Sequence, residues 1–330
     1  AASLQYGTQF GGLINFKLKE PKPDDKFELI TRNTVGSNNL YTNFTSISSS
    51  NDNLGYYGYV NYKIGDGFRP NSDFESINTF QSLNLKLTDR SKLTSEITYL
   101  EYLAHQAGGL SDRMFEIDPY QSNRERNWFQ VKWLLYNLKY LYEISPDSNF
   151  SFSFFGLDAT RNALGFRTNR VDQIDFGEER DLIKGRFRNF GFETRYINNY
   201  TVLNKKSYLL LGAKYYNSFS ESTQGPGSAS KDANFNFDYL NFPNYVNQSE
   251  YSYPNFNLAL FGENIFYLNE NFSITPGFRY ENINTNLDGY YRRINLDAAG
   301  NTIYNEVFQE SDSKKRNFLL LGLGISYKKN

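Results

Sequence analysis

The stretch Phe272-Ser273-Ile274-Thr275-Pro276-Gly277-Phe278-Arg279-Tyr280-Glu281 decides the fold. Phe272, Ile274, Phe278 and Tyr280 fall on one side of an extended chain, while Ser273, Thr275, Arg279 and Glu281, with Asn271 before them, fall on the other. That is a strand with one apolar side. The same alternation recurs at Leu83, Leu85 and Leu87, at Phe150, Phe152 and Phe154, and at Leu319, Leu321, Leu323, Ile325 and Tyr327. In Phe256 to Leu268 apolar residues occupy both sides, and that strand is read from its boundaries. About twelve strands follow, at 27–36, 40–49, 54–64, 76–88, 92–103, 127–144, 149–160, 186–200, 207–219, 254–268, 272–285 and 316–328.

Composition agrees. Phe and Tyr supply 56 of 330 residues, against one Met and 9 Pro, which favours pleated surfaces over helices. The 35 basic and 36 acidic residues leave no basic excess for phosphates, so a nucleic-acid partner is not expected. No cysteine and a single histidine, His105, remove disulfide scaffolds, Cys/His zinc sites and most nucleophilic triads. His105 has no Ser or Asp motif around it, so an enzyme is not expected, nor a resident metal or cofactor. No run approaches the ~18 apolar residues of a spanning helix, but a barrel strand spans with ~9 to 11 alternating residues, so polar average composition does not argue against a membrane. No charged start with an apolar run behind it opens the chain, so no secretory signal is expected within it.

The connections add an asymmetry. Tight turns at 49–53, 88–91, 145–149, 203–206 and 269–271 alternate with long connections near 104–126, 161–185, 220–253 and 286–315. In an up-and-down meander every second connection emerges at the same end, so long loops gather at one end and tight turns at the other. That is the pattern of an outer-membrane barrel, with short periplasmic turns and long extracellular loops. Tyr99, Tyr102, Trp128, Phe129, Tyr140, Tyr142, Tyr215, Tyr216 and Tyr267 near strand ends are expected as interfacial girdles.

Residues 1–20 stand apart: Gly7, Gly11 and Gly12 permit close backbone approach, and a short strand is expected over Leu13 to Lys19, ended by Pro21 and Pro23. Tyr6-Gly7-Thr8-Gln9-Phe10-Gly11-Gly12-Leu13-Ile14-Asn15-Phe16 resembles the end of the plug domain of TonB-dependent outer-membrane receptors. Phe261-Gly262-Glu263-Asn264 followed by Ser273 to Glu281 is similar to a second element of that superfamily. Gly108-Gly109-Leu110-Ser111-Asp112, Phe115, Pro119, Gln121 to Arg124 and Arg126 to Phe129 resemble a loop-and-strand motif of its ferric dicitrate type.

The resemblance implies an all-β chain: the end of a plug at 1–20, then at 21–330 about twelve strands of a transmembrane antiparallel up-and-down β-barrel that has 22 in the family. The chain thus reads as an internal fragment. It further implies the outer membrane of a Gram-negative bacterium, contact with outer-membrane lipid, and energy from the TonB–ExbB–ExbD complex through a segment upstream of this one. The implied function is active import of a ferric chelate, ferric citrate first. Another siderophore, haem, cobalamin or an oligosaccharide on the same architecture is the alternative.

For an anionic iron complex, guanidinium forks suit carboxylate oxygens. The resemblance puts the loop from Arg161 to Gly185 where citrate-type receptors place some of their ligand arginines, as a region and not residue by residue; its Arg161, Arg167, Arg170 and Arg180 are the ligand-binding candidates, with Gln9 and Gln5 as weaker ones. The same loop carries Asp172, Asp175, Glu178, Glu179 and Asp181, so local pairing on a solvated surface is the competing reading. For Gln5 and Gln9 it is a turn-capping or wall hydrogen bond, and for Arg124 and Arg126 it is loop folding. His105 is weighed as a haem ligand and set aside. The aromatic loop 219–253 is either a lid over ligand or packed on its neighbours.

Overall fold

The computed structural model describes residues 4–7, 14, 16–21, 26–168, 170–202 and 204–328. Within them a single sheet of twelve antiparallel strands runs in strict sequence order. The strands are β1 (Glu28–Val35), β2 (Tyr41–Ser50), β3 (Leu54–Gly65), β4 (Phe74–Thr88), β5 (Ser91–His105) and β6 (Trp128–Ser145), then β7 (Ser148–Gly165), β8 (Arg180–Val202), β9 (Lys205–Gly227), β10 (Gln248–Tyr267), β11 (Phe272–Leu296) and β12 (Thr302–Tyr327). The described helical pieces are a 3-10 turn at Leu4–Tyr6 and α1 (Asp112–Ile117), which Ser111 caps by accepting from the Met114 amide. The strand expected over Leu13–Lys19 falls partly outside the described residues, and those described, 14 and 16–19, join no strand.

Directly paired residues share a face, so the register sorts every side chain. One row runs Leu54, Leu85, Leu93, Tyr140, Phe152, Thr194, Ala213, Leu260, Tyr280, Leu319 across ten strands. All four alternating stretches put their apolar side on this face. Its side chains are exposed, with Leu321 at 77%, and its rings pack side by side, with centroids 5.2 Å apart in Phe154–Phe192 and 5.5 Å apart in Tyr215–Phe256. An apolar belt facing away from the N-terminal segment is what lipid contact requires, and a cation at its midplane would cost about 2–4 kcal/mol. The opposite face carries Tyr57, Phe80, Phe261, Arg279 and Glu281, all buried.

Two expectations need correction. The girdle residues divide between faces, because neighbours such as Trp128 and Phe129 or Tyr215 and Tyr216 cannot point the same way in a pleated strand. Tyr99, Trp128, Tyr140, Tyr142 and Tyr215 lie on the belt face, while Tyr102, Phe129, Tyr216 and Tyr267 lie on the inner one. The long connections are also shorter than expected. The ladder continues to Gly65, His105, Gly165, Gly227 and Leu296, leaving 106–127, 166–179 and 228–247 as the long ones. The stretch 286–315 is mostly hairpin, β11 pairing with β12 up to Leu296–Thr302 around a tip at 297–301. Beyond the belt both faces of a strand meet water, so the alternation disappears while the hydrogen-bond ladder continues. The tight turns stand where expected, Asn204 adopting φ 56° at one of them.

Candidate functional site

Two sites of different construction stand out, one on the inner face and one among the long connections. Near the short-turn end, Arg195, Gly212, Phe261 and Arg279 form one cross-strand row over β8 to β11. Gly212 leaves room for the Phe261 ring, since a β-carbon there would lie 2.3 Å from it. The two guanidiniums flank that ring, Arg279 at 5.2 Å and Arg195 at 6.0 Å from its centroid. Each is held by a carboxylate two residues away on its own strand: Arg279 Nε donates to Glu281 at 2.5 Å, and Arg195 Nε to Glu193 at 2.6 Å. Positions i and i+2 share a face, so this pairing is built into a strand.

The free prongs reach the N-terminal segment. Arg279 Nη1 donates to the Leu4 carbonyl at 3.1 Å, and Arg195 Nη1 to Gln5 Oε1 at 2.7 Å with Tyr6 beneath its guanidinium. Leu4 also seats against Gly277 and Gly322, where β-carbons would lie 3.4 and 2.9 Å from its Cδ1. Phe261 explains the irregular β10 pattern, because this strand carries the apolar belt on one side and packs under the docked segment on the other.

At the long-loop end, arginines tie three connections into a collar. Arg124 is buried and donates to the backbone carbonyls of Asn123, Gln173, Arg170 and Val171. Arg126 grips both carboxylate oxygens of Asp175 and the carbonyls of Glu178 and Ala229. Burial alone would raise the Asp175 carboxyl, but Arg126 and the Gly177 amide outweigh it and hold it below its ordinary pKa. Arg180, at 0% exposure, donates to the carbonyls of Ser228, Arg126 and Asp232 and to the hydroxyls of Ser228 and Ser230.

The candidate ligand residues are therefore scattered. Arg180 is a collar residue inside protein. Arg170 is exposed and pairs with Asp172, and Arg167 pairs with Asp181 at 2.6 Å. Arg161 belongs to β7, is exposed on the inner face and rests 6.0 Å from the Phe187 ring with no ion pair among the described residues. Gln9 lies outside the described residues. Both His105 ring nitrogens are engaged, by Asp73 at 2.9 Å and the Glu125 carbonyl at 2.8 Å, and the ring stacks on Trp128. In the aromatic loop, the Phe235 carbonyl accepts from Lys184 while Phe237 stacks on Tyr239 and crowds Gly225, on the belt side. Tyr245 turns inward and donates to Asp181, burial first and that carboxylate second pushing its pKa up.

Sequence reading passed over Arg195 and Glu193, although Glu193-Thr194-Arg195 carries the i, i+2 signal, and took Phe261 only as part of a family motif. It also passed over the ring stack of Tyr291 on Phe308 beside Arg293, which lies in the hairpin taken for a loop. No group of three His, Asp or Glu side chains able to hold a metal occurs among the described residues.

No family model and no curated protein matches the chain. Solved structures do. The ferric citrate transporter FecA in its unliganded form matches with a TM-score of 0.69 at 17% identity, over 93% of this chain and 43% of that one. The siderophore receptor PiuA from Acinetobacter baumannii matches at 0.72 and 9% identity, over 94% and 48%. The alcaligin outer-membrane receptor FauA from Bordetella pertussis matches at 0.61 and 12%, over 94% and 42%. The chain spans less than half the length of each. Its fold is that of the barrel wall of TonB-dependent outer-membrane receptors, with an apolar belt on the outward face.

Proposed function

We propose that the chain is part of a receptor that imports a ferric chelate across the outer membrane, residues 1–20 being the end of a plug and 21–330 barrel wall. The observation that carries this reading is the clamp of Leu4 and Gln5 by Arg279 and Arg195 on the inner face. A passive pore has no use for a segment fastened across its wall, whereas a receptor that must stay shut until ligand arrives needs one. Opening such a wall takes work, which a TonB–ExbB–ExbD partner would supply from the inner membrane through the part of the plug upstream of this chain.

Ferric citrate, the narrower ligand, is supported by the resemblance of residues 108–129. The geometry supports it less, because Arg167, Arg170 and Arg180 are engaged within the protein and Arg161 alone of the four is free on the inner face. The proposal is therefore made for a ferric chelate, with citrate the first compound to test. Cells carrying the intact gene, in a host without its own citrate receptor, would be given radiolabelled ferric citrate with and without a protonophore. Gradient-dependent uptake supports both statements. No uptake of citrate but uptake of another iron chelate removes citrate only, and no uptake of any iron chelate by correctly inserted receptor removes the import reading.

A further inference from the structure

One cross-strand row on the inner face alternates rings with small side chains: Trp133, Ala159, Phe187, Ser220 and Tyr253, over β6 to β10. In the next row toward the long loops stand Arg161, Gly185, Ser222 and Tyr251. Two rings lie along the sheet over glycines, since a β-carbon at Gly185 would stand 3.1 Å from the Phe187 ring and one at Gly289 2.7 Å from that of Tyr251. Tyr251 is pinned there by its hydroxyl, which donates to Glu310 at 2.7 Å, and Tyr253 stacks beside it. The Arg161 guanidinium sits over Phe187, and Ala159, between Trp133 and Phe187, is buried. The result is an aromatic shelf about 19 Å wide, four strand spacings.

The shelf lies between the clamp and the long connections. Phe187 and Tyr253 are each eight residues from the clamp residues of their own strands, Arg195 and Phe261, about 20 Å at strand rise and barrel tilt. A molecule entering past the long connections meets the shelf before the clamp.

The chemistry of the shelf is one-sided. Across β6 to β10, Arg161 is the only charged side chain in these two rows, and the rows directly above and below add none. Its guanidinium has no ion pair among the described residues, and the Trp133 indole N–H and the Ser220 and Ser222 hydroxyls make no hydrogen bond among them. Arginine and tryptophan donate and cannot accept, so the matching ligand is rich in acceptor oxygens and negative charge, with flat faces for the rings. Citrate has the oxygens without the flat face, and a neutral sugar has the face without the charge. We propose that this shelf binds a ferric chelate through a catecholate or phenolate arm, the ring of the arm on Phe187 and Trp133 and its oxygens on Arg161. The assignment rests on the import reading above and names the class of chelate for it.

The full-length receptor purified in detergent would be dialysed to equilibrium against radiolabelled iron as its 2,3-dihydroxybenzoate complex or as ferric citrate, with unlabelled maltohexaose as a competitor that stacks but carries no charge. The dihydroxybenzoate complex is expected to be held about tenfold more tightly than ferric citrate, the worth of its ring contacts. Phe187→Leu with Trp133→Leu is expected to bring the two complexes within about twofold of each other, and Arg161→Gln to weaken both. Heat-modifiable gel migration would verify that the variants are folded. Ferric citrate held as tightly as the aryl complex, displacement by maltohexaose, or a preference unchanged in the folded ring variants would overturn the proposal. A receptor that takes up iron citrate without an aryl preference loses this assignment alone, whereas one that neither binds nor takes up any iron complex loses the import reading with it.

Discussion

The clamp near the short-turn end and the collar at the long-loop end both bury arginines, yet they answer those charges differently. In the clamp each guanidinium has a carboxylate two residues away on its own strand, and only its spare prongs leave the sheet, for Leu4 and Gln5. In the collar, Arg124 and Arg180 answer almost wholly to backbone carbonyls and hydroxyls from other connections, with Asp232 only 3.9 Å from Arg180. Charge in the clamp is neutralised before anything docks, which suits a surface that must release and recapture a segment. Collar charge is neutralised only when the loops are assembled, which suits a device that shapes them once.

The largest expected effect is in the clamp. Arg279→Ala leaves Glu281, 4% exposed, with Asn257 as its remaining partner, and breaking a buried pair costs about 3–5 kcal/mol. A cysteine at Leu4 should then be labelled by maleimide much faster; equal labelling with and without Arg279 would mean that the arginine does not hold the segment. Gly212→Val comes next, because its side chain would drive Phe261 from between the two guanidiniums at about 1–3 kcal/mol of overpacking. The same labelling assay should rise to an intermediate level.

The collar should respond to acid. The Asp175 pKa is lowered in the folded state, so its contribution is complete above the ordinary carboxylate pKa of about 4 and is lost as pH falls through the lowered value. Trp128, whose indole donates to the Lys231 carbonyl in the collar, reports this by fluorescence. An acid transition that Asp175→Asn abolishes is expected; a transition untouched by that variant would place the acid-sensitive group elsewhere. The smallest effect belongs to Arg170→Ala, which removes an exposed pair with Asp172 and should leave the melting temperature unchanged.

How legible each region was follows from the same contrast. Arg279-Tyr280-Glu281 could be read from sequence as a pair on one face, because strand period fixes it, and the four alternating stretches located the belt for the same reason. Where water wets both faces, as from Asn284 onward in β11, no pattern distinguishes strand from loop, so the upper hairpin and the strand positions of Arg161 and Arg180 were lost with it. The partners of Arg124 and Arg180 lie some fifty residues away along irregular backbone, and no local periodicity encodes such contacts.

The β11–β12 hairpin offers a use of its own. From Asn284 to Leu296 it continues past the apolar belt as a paired ribbon, which at strand rise and barrel tilt amounts to about 30 Å. Its tip is closed locally, Asp297 accepting from the amides of Ala299 and Asn301, and Gly300 there has φ 84° with nothing within 4 Å of where a β-carbon would stand. In the receptor proposed above, a peptide spliced between Ala299 and Gly300 would be carried clear of the bilayer on a ready-made mast, visible to an antibody on intact cells while the wall below goes undisturbed.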